Sequence, residues 1–319
     1  MSKNQNNVFI TDYIENPNLE KDILKSHLSI EPHDEIEYLL VWHQIINEDY
    51  LINFPKVKGV VRYGVGYDNI DLEICKKKKI SVCNTPDYGT QEVSDTTISM
   101  IMDCSRKVSE YNHIAKKIKD DSWQENTIKS IRRSNELNIG IIGCGRIGSS
   151  VVLKLNSLNF NTFFYDPYVN WGYEKVINSN RIYDIEELLK KSDIITMHCP
   201  LNEKTNGLID TDFLNLMKDG ATLINTARGE LIYDIDLIYQ KLEDKSLYSV
   251  YLDVLPNEPP NNSKKLIKEW KSNSELSQRI FINPHTAYYS RESYVEMRTK
   301  ASQNIMRMIN NEPLLYQII

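Results

Sequence analysis

The sequence predicts an α/β fold with two parallel sheets, each flanked by helices. Three observations carry this expectation. A chain of 319 residues is long enough for two cores at about 100–200 residues per domain. Short β-prone apolar runs alternate with amphipathic stretches, as βαβ units require. The alternation also falls into two separate series.

In the first series, strands are expected at residues 8–10, 37–41, 59–63 and 80–83, with helices at 19–27 and 71–79. In the second, strands are expected at 138–142, 162–165, 194–198, 221–225, 249–253 and 280–282. Helices at 147–158, 185–191, 211–218 and 235–243 fall between them. Two longer helical stretches without Gly or Pro, 92–119 and 291–310, fit connectors. The second would return the chain to its first domain, so the second series reads as an insertion, with a cleft between the two sheets.

Composition excludes several function classes. The 38 Lys+Arg and 44 Asp+Glu leave a net charge of −6, which argues against nucleic acid as the main partner. No uncharged apolar run of 18 residues is present, so no membrane span is expected. The opening residues lack the apolar core of a signal peptide. Cys75, Cys83, Cys104, Cys144 and Cys199 are scattered and form no CxxC pair, which fits free thiols in a reducing cytoplasm. His27, His33, His43 and His113 make no i,i+4 pair, and no metal site is expected.

Residues 138–148, NIGIIGCGRIG, place a GxGxxG directly after a strand and at the start of a helix. Gly143 allows the tight turn, Gly145 lets the backbone approach a pyrophosphate, and Gly148 lets the helix pack against the strand. The helix N-terminus offers free N–H groups and the positive end of a dipole. The next strand ends at Asp166, 18 positions beyond Gly148, where a carboxylate suits ribose hydroxyls and repels a 2′-phosphate. Pro167 and Tyr168 follow, with no Arg to receive such a phosphate, so the cofactor expected is NAD. The fold expected is therefore two Rossmann-like domains. An NAD-binding domain at 109–289 is inserted into a split substrate domain formed by 1–108 and 290–319.

Polar residues follow three later strands, at the sheet end where ligands of open α/β sheets bind. Segment 224–231 carries Arg228, 252–260 carries Asp253 and Glu258, and 283–287 carries His285. Hydride transfer to a ketone needs a proton donor, which His provides. A carboxylate on the second ring nitrogen fixes the tautomer, and a planar Arg holds a substrate carboxylate by paired contacts. Arg228, Glu258 and His285 supply that set.

Five ordered motifs now resemble one family over nearly the whole chain. They are VRYGVGYDNID at 61–71, CNTPDYGTQEV at 83–93, HCPLNEKT at 198–205, PHTAYYS at 284–290, and the order Arg228, Glu258, His285. The chain resembles the D-isomer-specific 2-hydroxyacid dehydrogenases. It is most like the branch that holds the C-terminal-binding proteins, and it is also similar to short D-3-phosphoglycerate dehydrogenases.

The resemblance implies roles. Arg228 would bind a 2-oxo acid, and His285 with Glu258 would be the general acid/base. Val65 and Gly66 would bind the substrate carboxylate through backbone N–H groups, and Arg62 matches a further substrate-facing Arg. Arg146 and Ile147 would meet the pyrophosphate, and Asp166 the ribose. Cys199, Pro200 and Thr205 would line the adenosine and phosphate side. Thr226 and Ala227 would lie near the nicotinamide ribose, with Asp253 at the carboxamide. Tyr288 stands where some relatives carry Trp and would shape the substrate pocket. A homodimer is implied as well.

Some features depart from the pattern or read plainly. Segment 261–278 is longer and more polar than usual, and fits either a surface elaboration or a lid or partner contact. The chain ends soon after its last helix, without the appended domain of long phosphoglycerate dehydrogenases. Cys144 reads as a small filler within the glycine loop. The reading is an NAD(H)-dependent oxidoreductase interconverting a 2-oxo acid and a D-2-hydroxy acid. The alternative is an NAD-sensing, corepressor-like binding protein. Glyoxylate, hydroxypyruvate, 3-phosphohydroxypyruvate and larger acids all remain open as substrates.

Overall fold

The computed structural model describes residues 6–129 and 131–319; the first five residues of the opening stretch lie outside it. The chain forms two compact units, Met1–Gly89 with Tyr289–Ile319, and Thr90–Tyr288.

Unit 1 contains β1 (Val8–Ile10), α1 (Asn18–Leu24), β2 (Tyr38–Val41), α2 (Glu48–Leu51), β3 (Gly59–Arg62), α3 (Leu72–Lys77) and β4 (Ser81–Cys83). The four strands pair in parallel in the order β1-β2-β3-β4. The central pair, β2 and β3, is buried nearly throughout and so reads as continuous apolar runs. Asp71 caps α3 by accepting the Ile74 N–H at 2.9 Å. The C-terminal helix Arg291–Asn310 returns to this unit, starting from a Ser290–Ser293 capping box. Its Arg298 forms a buried ion pair with Glu20 on α1, and Glu20 also accepts the Tyr63 hydroxyl at 3.1 Å. The last residues cover the exposed edge of β4, with the Ile318 N–H donating to the Val82 carbonyl at 2.8 Å.

Unit 2 opens with α4 (Thr90–Arg106) and α5 (Val108–Ala115). Its sheet comprises β5 (Asn138–Ile142), β6 (Asn161–Tyr165), β7 (Asn180–Arg181), β8 (Ile194–Met197), β9 (Ala221–Asn225), β10 (Leu247–Leu252) and β11 (Ile280–Ile282). Between them run α6 (Arg146–Ser157), α7 (Tyr173–Ile177), α8 (Ile185–Lys191), α9 (Thr211–Leu216), α10 (Ile235–Glu243) and α11 (Lys265–Trp270). The strands are parallel in the order β11-β10-β9-β8-β5-β6-β7. The order reverses at β5, so the crevice between the ends of β5 and β8 is the topological switch point.

Two expectations need correction, and a third is refined. The stretch 92–119 is not one helix: it breaks at Lys107, whose φ of 56° is left-handed. The Asp103 carboxylate accepts the Ser109 N–H at 2.9 Å and so starts the second helix. The division between units falls at Gly89/Thr90, not after residue 108. Met100, Ile101 and Cys104 of α4 belong to the core that holds Ile139, Ile141, Val151 and Val152, and this draws α4 into unit 2. Segment 261–278 carries α11, whose Leu266 and Ile267 are fully buried with Ile238 and Leu242. Those anchors make its inner face part of the core. Among the described residues no helix is long and apolar enough to cross a membrane.

Candidate active site

In unit 2 the expected residues all follow the C-terminal ends of strands, where successive βα turns gather on one edge of the sheet. The β5–α6 turn is built for a close backbone approach. Gly143 has φ +90°, and a Cβ there would sit 2.5 Å from the Cys199 nitrogen. A Cβ on Gly148 would lie 2.1 Å from the Gly143 carbonyl oxygen, whereas one on Gly145 would face open space. The first two glycines therefore fold the turn against β8, and the third leaves the approach clear. Arg146 and Ile147 begin α6, whose first N–H groups are free of helical partners.

Asp166 ends β6. Its carboxylate accepts the Cys144 N–H at 2.8 Å and the Tyr168 N–H at 2.8 Å, which sets its orientation from two sides. Cys144 is fully buried, and burial pushes its thiol up to about 11, a packing role with no reactive thiolate. Burial pushes His198, at the end of β8, down to about 3, so it stays neutral beside the glycine turn. Beyond it, the Thr205 hydroxyl donates to the Pro200 carbonyl at 2.6 Å and accepts the Asn202 N–H at 2.9 Å, closing the loop that carries Cys199.

Residues 225–228 form the turn after β9. Buried Asn225 spans it, donating to the Arg228 carbonyl at 2.8 Å and accepting the Ala227 N–H at 3.0 Å. Arg228 Nη1 donates to the Ala227 carbonyl at 2.8 Å. The Thr226 hydroxyl, expected near the nicotinamide ribose, lies 3.1 Å from the Thr97 hydroxyl on α4.

His285 Nδ1 stands 2.8 Å from Glu258 Oε2. Burial raises the Glu258 pKa, but hydrogen bonds from His285 and the Leu255 N–H, with the charges of His285 and Arg228, bring it below the usual value. His285 has φ +54°, a conformation that a bulky residue adopts at a cost. Asp253 supports it: its carbonyl accepts the His285 N–H at 2.8 Å. Its carboxylate accepts the Thr286 and Ala287 N–H groups at 3.0 Å each. Asp253 is 1% exposed and burial raises its pKa. The residue expected at a carboxamide thus also clamps the histidine turn. Tyr288 presents its ring edge-on to His285, with centroids 6.2 Å apart.

In unit 1, Arg62 ends β3, and Val65 and Gly66 follow it. Arg62 Nε donates to Asn69 at 3.2 Å, and Asn69 donates in turn to the Trp42 and Gln44 carbonyls. Asn84 donates to the Val65 carbonyl at 2.7 Å, and the Thr85 hydroxyl to the Arg62 carbonyl at 3.0 Å. The CNTP segment therefore serves to lace this loop. Asn225, Asn69 and the clamping role of Asp253 are absent from the sequence reading. Their only signal was a polar residue at or just past a strand end.

Residues 98–287 match the family described as D-isomer specific 2-hydroxyacid dehydrogenase, NAD binding domain. The chain belongs to the D-isomer-specific 2-hydroxyacid dehydrogenase family. Members similar to it include C-terminal-binding protein 1 of Caenorhabditis elegans, 31% identical over 278 residues, which are 85% of this chain and 37% of that protein. D-3-phosphoglycerate dehydrogenase of Methanocaldococcus jannaschii is 30% identical over 267 residues, 84% of this chain and 48% of that one. The chain thus spans about half the length, or less, of these curated relatives. Among solved structures, D-lactate dehydrogenase of Aquifex aeolicus, complexed with NAD and lactic acid, superposes with a TM-score of 0.81 at 28% identity, covering 96% of both chains. D-mandelate dehydrogenase of Rhodotorula graminis, at 22% identity and TM-score 0.80, shares the fold.

The cofactor of this dehydrogenase family is NAD, and the residues present fit it. Open space at Gly145, free N–H groups at the start of α6 and the oriented Asp166 carboxylate together suit a pyrophosphate joined to a ribose with free hydroxyls.

Proposed function

We propose that the chain is an NAD(H)-dependent oxidoreductase interconverting a 2-oxo acid and a D-2-hydroxy acid. The observation that carries this reading is the 2.8 Å contact between His285 Nδ1 and a carboxylate oxygen of Glu258, behind a dinucleotide turn on the same sheet. The hydride chemistry would be supplied by NAD(H) when it is bound.

This chain's residues do the rest. Gly143, Gly145, Arg146, Ile147 and Gly148 receive the pyrophosphate, and Asp166 the ribose. Cys199, Pro200, Thr205, Thr226, Ala227 and Asp253 complete the cofactor contacts. Arg228, with Arg62 and the Val65 and Gly66 N–H groups, binds the substrate carboxylate, and Tyr288 bounds the substrate. With Nδ1 committed to Glu258, His285 gives a proton to the substrate oxygen, or takes one, at Nε2. Glu258 holds the tautomer and balances the imidazolium. A protein that only sensed NAD would have no physical need for this pair.

The test is NADH oxidation at 340 nm with a panel of 2-oxo acids. Turnover by the wild type should fall about 10²-fold or more in His285→Ala. If every acid gives the same rate in both proteins, the enzyme reading fails. The proposed assembly is a homodimer, which sedimentation would check.

A further inference from the structure

The loop after β6 is held from outside its own strand. Arg181, on the edge strand β7, donates through Nη2 to the Asp166 carbonyl at 2.8 Å and through Nη1 to the Asn170 carbonyl at 3.3 Å. Its guanidinium carbon lies 5.2 Å from the ring centre of Tyr183, 5.7 Å from Trp171 and 6.0 Å from Phe164. The Trp171 and Tyr183 rings are themselves 5.7 Å apart. Guanidinium groups are attracted to aromatic faces, so this packing and the two carbonyls fix the cation in place.

One residue, Asp166, therefore carries a carboxylate on its side chain and an arginine on its main chain. Sequence reading finds no Arg near Asp166, because this one arrives from fifteen positions further on. Two of its five N–H donors serve the two carbonyls. The guanidinium is thereby held against the main chain of the same residue that carries the carboxylate.

We propose that selection between NAD and its 2′-phosphorylated form is set by Asp166 and Arg181 as a pair. The Asp166 carboxylate accepts ribose hydroxyls and repels a 2′-phosphate. Arg181 fixes the loop that presents this carboxylate, and it becomes the phosphate partner once the carboxylate is removed. Arginine suits that second role because its planar fork matches phosphate oxygens and never loses its proton. The proposal rests on the reading of Asp166 as the ribose carboxylate.

The experiment is fluorescence titration of NADH and NADPH into the wild type, Asp166→Ala, Arg181→Met and the double variant. The wild type should bind NADH more tightly. Asp166→Ala should bind NADPH about tenfold more tightly than the wild type does, and adding Arg181→Met should abolish most of that gain. Arg181→Met alone should weaken NADH about threefold or more by loosening the loop. Arg181→Lys keeps the charge without the fork; it should fold and give an intermediate NADPH affinity on the Asp166→Ala background. If the double variant binds NADPH as tightly as Asp166→Ala, Arg181 has no part in selection and the proposal is overturned. An unchanged NADH-to-NADPH ratio in Asp166→Ala overturns the Asp166 reading as well, so the two failures are told apart.

Discussion

Glu258 Oε2 stands 2.8 Å from His285 Nδ1, while its other oxygen accepts the Leu255 N–H at 2.8 Å. Both carboxylate oxygens are therefore engaged, and the imidazole is tethered at one nitrogen with the other left for chemistry. The carboxylate is held below its usual pKa, so it stays charged as the pH falls through the ordinary carboxylate range. Glu258→Gln should lower kcat about 10²-fold, while NADH affinity in fluorescence titration stays near wild type. A kcat within twofold of wild type would separate Glu258 from the proton-transfer step.

Arg228 makes a different demand. Its turn is spanned by Asn225, which accepts one N–H and donates to the Arg228 carbonyl, so the guanidinium projects from a fixed base. Lysine in its place keeps the charge and loses the fork. Arg228→Lys should cost about 10²-fold in kcat/KM against the preferred 2-oxo acid, measured by steady-state kinetics. Activity within twofold of wild type would remove Arg228 from substrate binding.

In unit 1, Asp12 accepts the N–H groups of Trp42, His43 and Gln44, at 2.8, 2.7 and 3.2 Å. Burial raises its pKa, but the hydrogen bonds from His43, Thr11 and the backbone overcome this and hold it well below the usual carboxylate range. A carboxylate with a depressed folded pKa stabilises the fold above its unfolded pKa, near 3.8, and that contribution is lost as the pH falls through the folded value. Asp12→Ala should cost about 2–3 kcal/mol at pH 7 in urea unfolding. The loss of stability from pH 5 to pH 2 should be shallower in the variant than in the wild type.

Much of this architecture is legible because buried parallel strands are apolar runs. Ile139, Ile141 and Ile142, or Leu223 and Ile224, announce themselves between turn residues. The glycine turn, Asp166, Arg228, Glu258 and His285 are legible because each follows such a run at a spacing that chemistry constrains. What stays hidden depends on contacts distant in sequence. Asp253 clamps N–H groups 33 and 34 residues away, and Arg181 docks from a two-residue edge strand too short to leave a pattern. Segment 261–278 reads as more polar than usual, and only the buried pair Leu266 and Ile267 shows that its helix is anchored. The break at Lys107 carries no Gly or Pro signal, since the sequence RKVSE suits a continuous helix.

That break yields a stability prediction. Lys107 holds φ 56°, which costs a residue with a Cβ about 1 kcal/mol, while glycine adopts it freely. Its ammonium lies 3.4 Å from the centre of the Tyr248 ring, among Asp103, Glu110, Cys104 and Arg279. Burial pushes Lys107 down to about 8, with the charge of Arg279 acting in the same direction and Cys104, Glu110 and Asp103 opposing. Between pH 8 and the ordinary lysine value of 10.5, the unfolded chain binds more protons at this site than the folded one, so this residue makes stability rise with pH there. Lys107→Gly removes the left-handed strain and the desolvated charge, and forfeits a ring contact worth about 0.5–1 kcal/mol. The net expectation is a gain of about 1 kcal/mol at pH 7, read as a higher thermal midpoint, with a flatter dependence of stability on pH between 8 and 10. A variant less stable than the wild type at pH 7 would show that the ammonium over Tyr248 outweighs both costs.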